Sequence, residues 1–152
     1  MFFDYEGESM KYIFVCLFFA VMVSGCSEQT NEPVSTLPYE LWKSKNIHNY
    51  TIEQTRSCFC VDGGATVRIT VLSDTIAGVI QISDSSKVTA PRINYYFTVD
   101  SLFGIIRSNK TDSLVVAYDT DYGFPKFLDI NPQQHPVDGG VLYETSNLKI
   151  IK

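Results

Sequence analysis

The chain is short of the residues from which recognisable active sites are built. Its 152 residues include two histidines, four cysteines and one tryptophan. The histidines, His48 and His135, lie far apart in sequence, so neither supplies the paired spacing of a zinc site. No nucleophile elbow and no metalloprotease helix is present. Basic residues are also scarce: twelve against seventeen acidic ones, a net charge of −5. Without a basic stripe, nucleic acid is excluded as a partner. The apolar run Tyr12 to Val23, "YIFVCLFFAVMV", is too short to span a bilayer, which takes about 20 residues. These absences leave no catalytic residue, no cofactor and no metal to assign, and no enzyme activity is expected.

What is present begins with that apolar run. It has the length of a signal-peptide core, preceded by Lys11 and followed by small residues. It ends in "VSGC", Val23 to Cys26, which resembles the lipobox of bacterial lipoproteins. The resemblance implies cleavage after Gly25, acylation of Cys26 with chains such as palmitate, and anchorage in the membrane. The upstream acids Asp4, Glu6 and Glu8 oppose the positive n-region of an export signal, so Met10 is the expected true start. The expected organisation is a signal peptide over 1–25, a lipidated N-terminus and flexible tether over 26–38, and one globular domain over 39–152. The tether "SEQTNEPVSTLP" is polar, contains two prolines and shows no periodicity.

Within the domain, "YELWKSKN" predicts a short helix with Tyr39 and Trp42 on one face. "NYTIEQTRSCFC" predicts a strand. "TVRITVL" alternates cleanly, with Val67, Ile69 and Val71 on one face, and "SDT" turns it into the strand "IAGVIQI". "TVDSLFGIIRSN" is a helix capped by Thr98, with Asp100 in its first turn and Arg107 in its last. "DSLVVAYD" and "GFPKFLDI" form a hairpin around "DTDYG", where Gly123 supplies a positive φ. "VLYETSNLKII" is the final strand. The order α-β-β-β-α-β-β-β implies an α+β fold, an antiparallel sheet with two helices packed on one face.

Cys58 and Cys60 would be the thiols left in an oxidising compartment once Cys16 is removed and Cys26 acylated. In a regular strand their Cα atoms would stand about 6.6 Å apart, from a rise of ~3.3 Å per residue. That is the far end of the disulfide range of about 4.4–6.8 Å, so bridging needs a bend. A local disulfide clamp ending the strand is the expected arrangement. Thiol-redox and metal-handling roles for the pair stay open as alternatives. Asp119 and Asp121 suggest calcium, but Gly123 stands where a third ligand belongs, and turn chemistry explains them better. Among the many aromatics, Tyr95, Tyr96, Tyr122 and Phe124 are the candidates for a docking patch, if they face outward.

Taken together and in order, "NYTIEQTRSCFC", "YFTVDSLFGII" and "VVAYDTDYGFPKFLDI" resemble the bacterial family known as domain of unknown function 6174. The resemblance covers about Trp42 to Leu148. Members are often exported or lipid-anchored, and the family carries fold expectations without an assigned activity. One departure is "VDGG", Asp138-Gly139-Gly140, where members often have an acidic cluster. The architecture is also loosely similar to PepSY-like and β-lactamase-inhibitor-like domains. The expected protein is a monomeric, lipid-anchored module of the cell envelope, exposed to the periplasm or exterior. It would bind an envelope protein or a small ligand, with a thiol-redox or metal-handling role for Cys58 and Cys60 as the alternative.

Overall fold

A computed structural model describes residues 36–152 apart from 61, 62 and 138. The expected signal peptide, Cys26 and the expected tether as far as residue 35 lie outside the described residues. The elements follow the expected order: α1 (Thr36–Ser44), β1 (Tyr50–Ser57), β2 (Thr66–Leu72), β3 (Thr75–Gln81), α2 (Val99–Ser108), β4 (Leu114–Tyr118), β5 (Pro125–Ile130) and β6 (Val141–Ile150). Short 3-10 turns at Arg92–Tyr95 and Pro132–Val137 add to that order. Helix α1 starts at Thr36, so it takes in the last three residues read as tether. Strand β1 ends at Ser57, and Cys58 to Cys60 form a bend beyond it.

The six strands form one sheet in the order β3-β2-β1-β6-β5-β4. Every pairing is antiparallel. Two three-stranded meanders therefore meet along the β1–β6 seam. Because β3 and β4 lie at opposite edges, the chain between them must cross the whole sheet, and α2 lies in that crossing.

Period-two alternation decides which face the helices cover. Tyr50, Ile52 and Gln54 of β1 are buried, as are Val67, Ile69 and Val71 of β2, Leu128 of β5 and Tyr143 of β6. Against them pack Trp42 of α1 and Val99, Leu102 and Phe103 of α2. Thr98 caps α2 by accepting a hydrogen bond from Ser101 N at 3.1 Å. The Tyr50 hydroxyl accepts another from Val99 N at 3.0 Å. Two amide donors at the helix start thus gain partners. Burial drives the Tyr50 phenol far above its ordinary pKa, so it stays neutral while it holds the helix.

The turns show why the strands pair as they do. Ser73 and Asp74 both adopt positive φ (49° and 64°), the conformation of a two-residue hairpin turn. Neither is glycine, and the turn is fastened from outside: Ser73 N donates to Asn49 Oδ1 at 2.9 Å, and His48 Nδ1 lies 2.8 Å from Asp74 Oδ2. At the β4–β5 turn, Asp119 Oδ1 accepts from Asp121 N and Tyr122 N at 3.0 and 2.7 Å. That Asx-type bonding occupies the carboxylate considered for calcium. Gly123 has φ 81°, and a Cβ there would run into the Pro38 carbonyl oxygen of α1. The glycine answers both the turn and the close approach of the first helix.

Candidate functional site

Among the described residues, neither helix packs on the opposite face of the sheet. The register sets its side chains in rows across the strands. Glu53 faces Arg68 and Thr55 faces Thr66 between β1 and β2. Glu53 faces Ser146 and Thr55 faces Glu144 between β1 and β6. Phe127 faces Glu144 and Asp129 faces Leu142 between β5 and β6. The face is mostly polar, and much of its polarity is paired laterally. Arg68 donates to Glu53 Oε1 at 2.8 Å, Asn147 donates to Glu53 Oε2 at 2.6 Å, and the Thr55 and Thr66 hydroxyls stand 2.8 Å apart.

Asn147 and Arg68 together hold the Glu53 carboxyl below the usual carboxylate range. A group depressed in the folded state contributes stability above its unfolded pKa, about 4.3 for glutamate, and loses it as pH falls through the folded value. Glu53→Gln should therefore flatten the acid limb of the stability curve between about pH 5 and pH 3. Its cost at pH 7 should stay near ~1 kcal/mol or less, because cross-strand and partly exposed pairs contribute little. Urea unfolding of both proteins at pH 3.5 and pH 7 would measure this. An unchanged pH profile in the variant would show that the pairing is cosmetic.

One end of the face is closed by the 3-10 turn Pro132–Val137. It folds back so that His135 Nε2 lies 2.7 Å from Asp129 Oδ1. The close return depends on Gly140, where a Cβ would meet Asn131 O at 2.7 Å and the His135 ring at 3.0 Å. This is the physical use of the "GG" in "VDGG"; Asp138 itself lies outside the described residues. Both histidines are thus engaged by an aspartate, His48 at a turn and His135 at this fold-back.

Across β1, β6 and β5 on the same face runs a shallow groove of about 450 Å³. Thr55, Lys126, Phe127, Glu144 and Ser146 line it, together with the buried Thr145, drawn from β1, β5 and β6. Lys126, Glu144 and Ser146 are exposed, while Phe127 and Thr55 are half-buried in the floor. Phe127 offers an aromatic surface, Glu144 accepts hydrogen bonds, Lys126 donates them, and the two hydroxyls do either. Neither histidine is part of the groove.

The four aromatics singled out from sequence do not assemble into a patch. Tyr96 and Phe124 are core residues, 5% and 4% exposed. Tyr95 and Tyr96 are adjacent, so one turns inward when the other turns out. Phe124 fills the space between the β4–β5 turn and the rest of the larger core cluster. Tyr95 is 39% exposed, with the Arg56 guanidinium 4.5 Å from its ring centre. Tyr122 is half-buried against the core, with the Lys45 ammonium 5.6 Å from its ring centre. Phe127, which is not one of those four, does reach the open face.

Cys58 and Cys60 stand at disulfide distance, their Cα atoms 5.2 Å apart in the bend after β1. Cys26 lies outside the described residues. Among the described residues, no three of His, Cys, Asp and Glu are placed to hold a metal ion together. Nor is any described helix long and apolar enough to cross a membrane.

Comparison with known proteins adds one finding. The model of a family of unknown function, DUF6174, matches residues 37–150, from the second residue of α1 to the last of β6. No curated protein and no solved structure matches the chain.

Proposed function

We propose that this chain, which belongs to the DUF6174 family, is a non-catalytic binding module of the cell envelope, tethered by lipid on Cys26 and receiving a saccharide chain on its open sheet face. The observation that carries this reading is the groove of Thr55, Lys126, Phe127, Glu144 and Ser146. A sugar ring presents an apolar C–H face and a rim of hydroxyls. The groove matches both, with one aromatic floor residue among groups that donate and accept hydrogen bonds. Its shallowness suits a polymer that enters at one end and leaves at the other. The residues sit on three paired strands, so little conformational freedom is lost on binding. An envelope location, as the "VSGC" motif implies, would put such polymers within reach of the tether.

The test is co-sedimentation of the full-length protein, in detergent, with insoluble peptidoglycan as the probe. The wild-type chain should be retained. Phe127→Ala should weaken retention by about tenfold, equivalent to ~1.4 kcal/mol, while Phe127→Trp should preserve it. Circular dichroism would verify that both variants fold. A wild-type chain that stays in the supernatant, or an alanine variant that binds equally well, would remove this reading.

A further inference from the structure

The bend after β1 carries a second site, independent of the groove. Three observations separate Cys58–Cys60 from a structural staple. The pair encloses a single residue, Phe59, so its closure removes almost none of the unfolded chain's freedom, an effect that grows with loop length. It lies outside both core clusters: Cys60 is exposed, Cys58 is half-buried, and Phe59 at the apex is 83% exposed. The loop is also closed without it. Gly64 N donates to Arg56 O at 2.8 Å, Gly63 N donates to Cys60 O at 3.1 Å, and the β1–β2 ladder begins at Thr55–Thr66.

We infer that Cys58–Cys60 is a thiol–disulfide exchange site open to solvent, with a dithiol as its redox partner. Attack falls on Sγ of Cys60, the more exposed of the two residues, because access governs which sulfur an incoming thiolate reaches. That thiolate forms a mixed disulfide with Cys60 as the Cys58–Cys60 bond breaks, and Cys58 leaves as a thiolate that takes a proton from water. The partner's second thiol then attacks its own mixed-disulfide sulfur and frees Cys60, which is protonated in turn. Two electrons pass from the dithiol to the protein, and the partner leaves as a disulfide. The reverse sequence reduces a disulfide partner to its dithiol and re-forms the Cys58–Cys60 bond. Exposed disulfides of this kind are the labile ones, whereas buried structural bridges resist the glutathione pool.

The experiment uses the oxidised full-length chain equilibrated in glutathione buffer with the reduced form in large excess. It is then quenched by alkylation and digested with trypsin. Cleavage after Arg56 and Arg68 places both cysteines on one peptide, Ser57 to Arg68, apart from Cys16 and Cys26. The expected result is a doubly alkylated peptide from a protein whose near-UV circular dichroism is unchanged. A peptide that stays unlabelled, or that labels only when the near-UV signal is lost, would make the bond structural and overturn the inference. Single-cysteine variants test the direction of attack. Cys58→Ser should gather glutathione on Cys60 severalfold faster, from oxidised glutathione, than Cys60→Ser gathers it on Cys58. Equal or reversed rates would overturn the assignment of Cys60 as the attacked sulfur.

Discussion

Trp42→Ala should lower the unfolding free energy of the protein by about 3–5 kcal/mol, the range for emptying a buried aromatic site. Trp42 is the only tryptophan and is 2% exposed. Its ring meets Tyr50 of β1 edge-on, with centroids 5.6 Å apart and planes at 84°. Its indole nitrogen lies 3.4 Å from Asp100 Oδ2 in the first turn of α2. One side chain therefore joins the first helix, the central strand and the start of the second helix. The long indole contact adds little, so Trp42→Phe should recover most of the loss. Urea unfolding followed by far-UV circular dichroism measures both variants without relying on tryptophan fluorescence. A cost below about 1 kcal/mol for the alanine would mean that α1 is an ornament on the domain, and not part of its core.

The second large effect is expected at Gln54, a polar residue with no exposed surface in the middle of β1. Its side-chain amide brackets Phe97 just before the second helix. Gln54 Oε1 accepts from Phe97 N at 3.0 Å, and Gln54 Nε2 donates to Phe97 O at 3.4 Å. The pair acts like one rung of sheet ladder between β1 and the crossing segment. Gln54→Ala removes both bonds, strands a backbone donor and leaves a void. A loss of about 2–4 kcal/mol follows from an unsatisfied buried group plus the cavity. Gln54→Glu sharpens the test. A carboxylate can still accept from Phe97 N, but desolvation by burial raises its pKa. The variant should then be close to wild type at acid pH, and its deficit should grow as pH rises through that raised value. A pH-independent deficit would show that the amide's shape matters and its hydrogen bonds do not.

Gln54 also marks where sequence reading reaches its limit. Local signals recovered the elements: Thr98 and Asp100 announced the second helix, Val67, Ile69 and Val71 announced a one-sided strand, and Gly123 announced the turn. Each depends on residues a few positions apart. The α+β order and the helices on one face followed from those pieces. The β1–β6 seam did not, because it pairs residues about ninety positions apart, Glu53 with Ser146 and Thr55 with Glu144. The groove exists only through that pairing, so in the sequence Thr55 on one strand and Glu144 and Ser146 on another are ordinary surface residues of two distant strands. The aromatic candidates failed for a related reason. Tyr96 and Phe124 are as aromatic as Tyr95 and Phe127, and only the three-dimensional packing separates the inward pair from the outward one. The Cys58–Cys60 bend, by contrast, was legible, because its geometry is fixed within three residues.

The open sheet face is the centre of this account, and it can be mapped directly. The measurement is an amide ¹H–¹⁵N NMR titration of the full chain in micelles with soluble oligosaccharides released from peptidoglycan. The expected result is saturable shifts at Thr55, Lys126, Phe127, Glu144 and Ser146, with Tyr95 and Tyr122 unmoved. Shifts confined to Phe59 and Tyr95, or none at millimolar oligosaccharide, would contradict it and move the search for function away from the sheet.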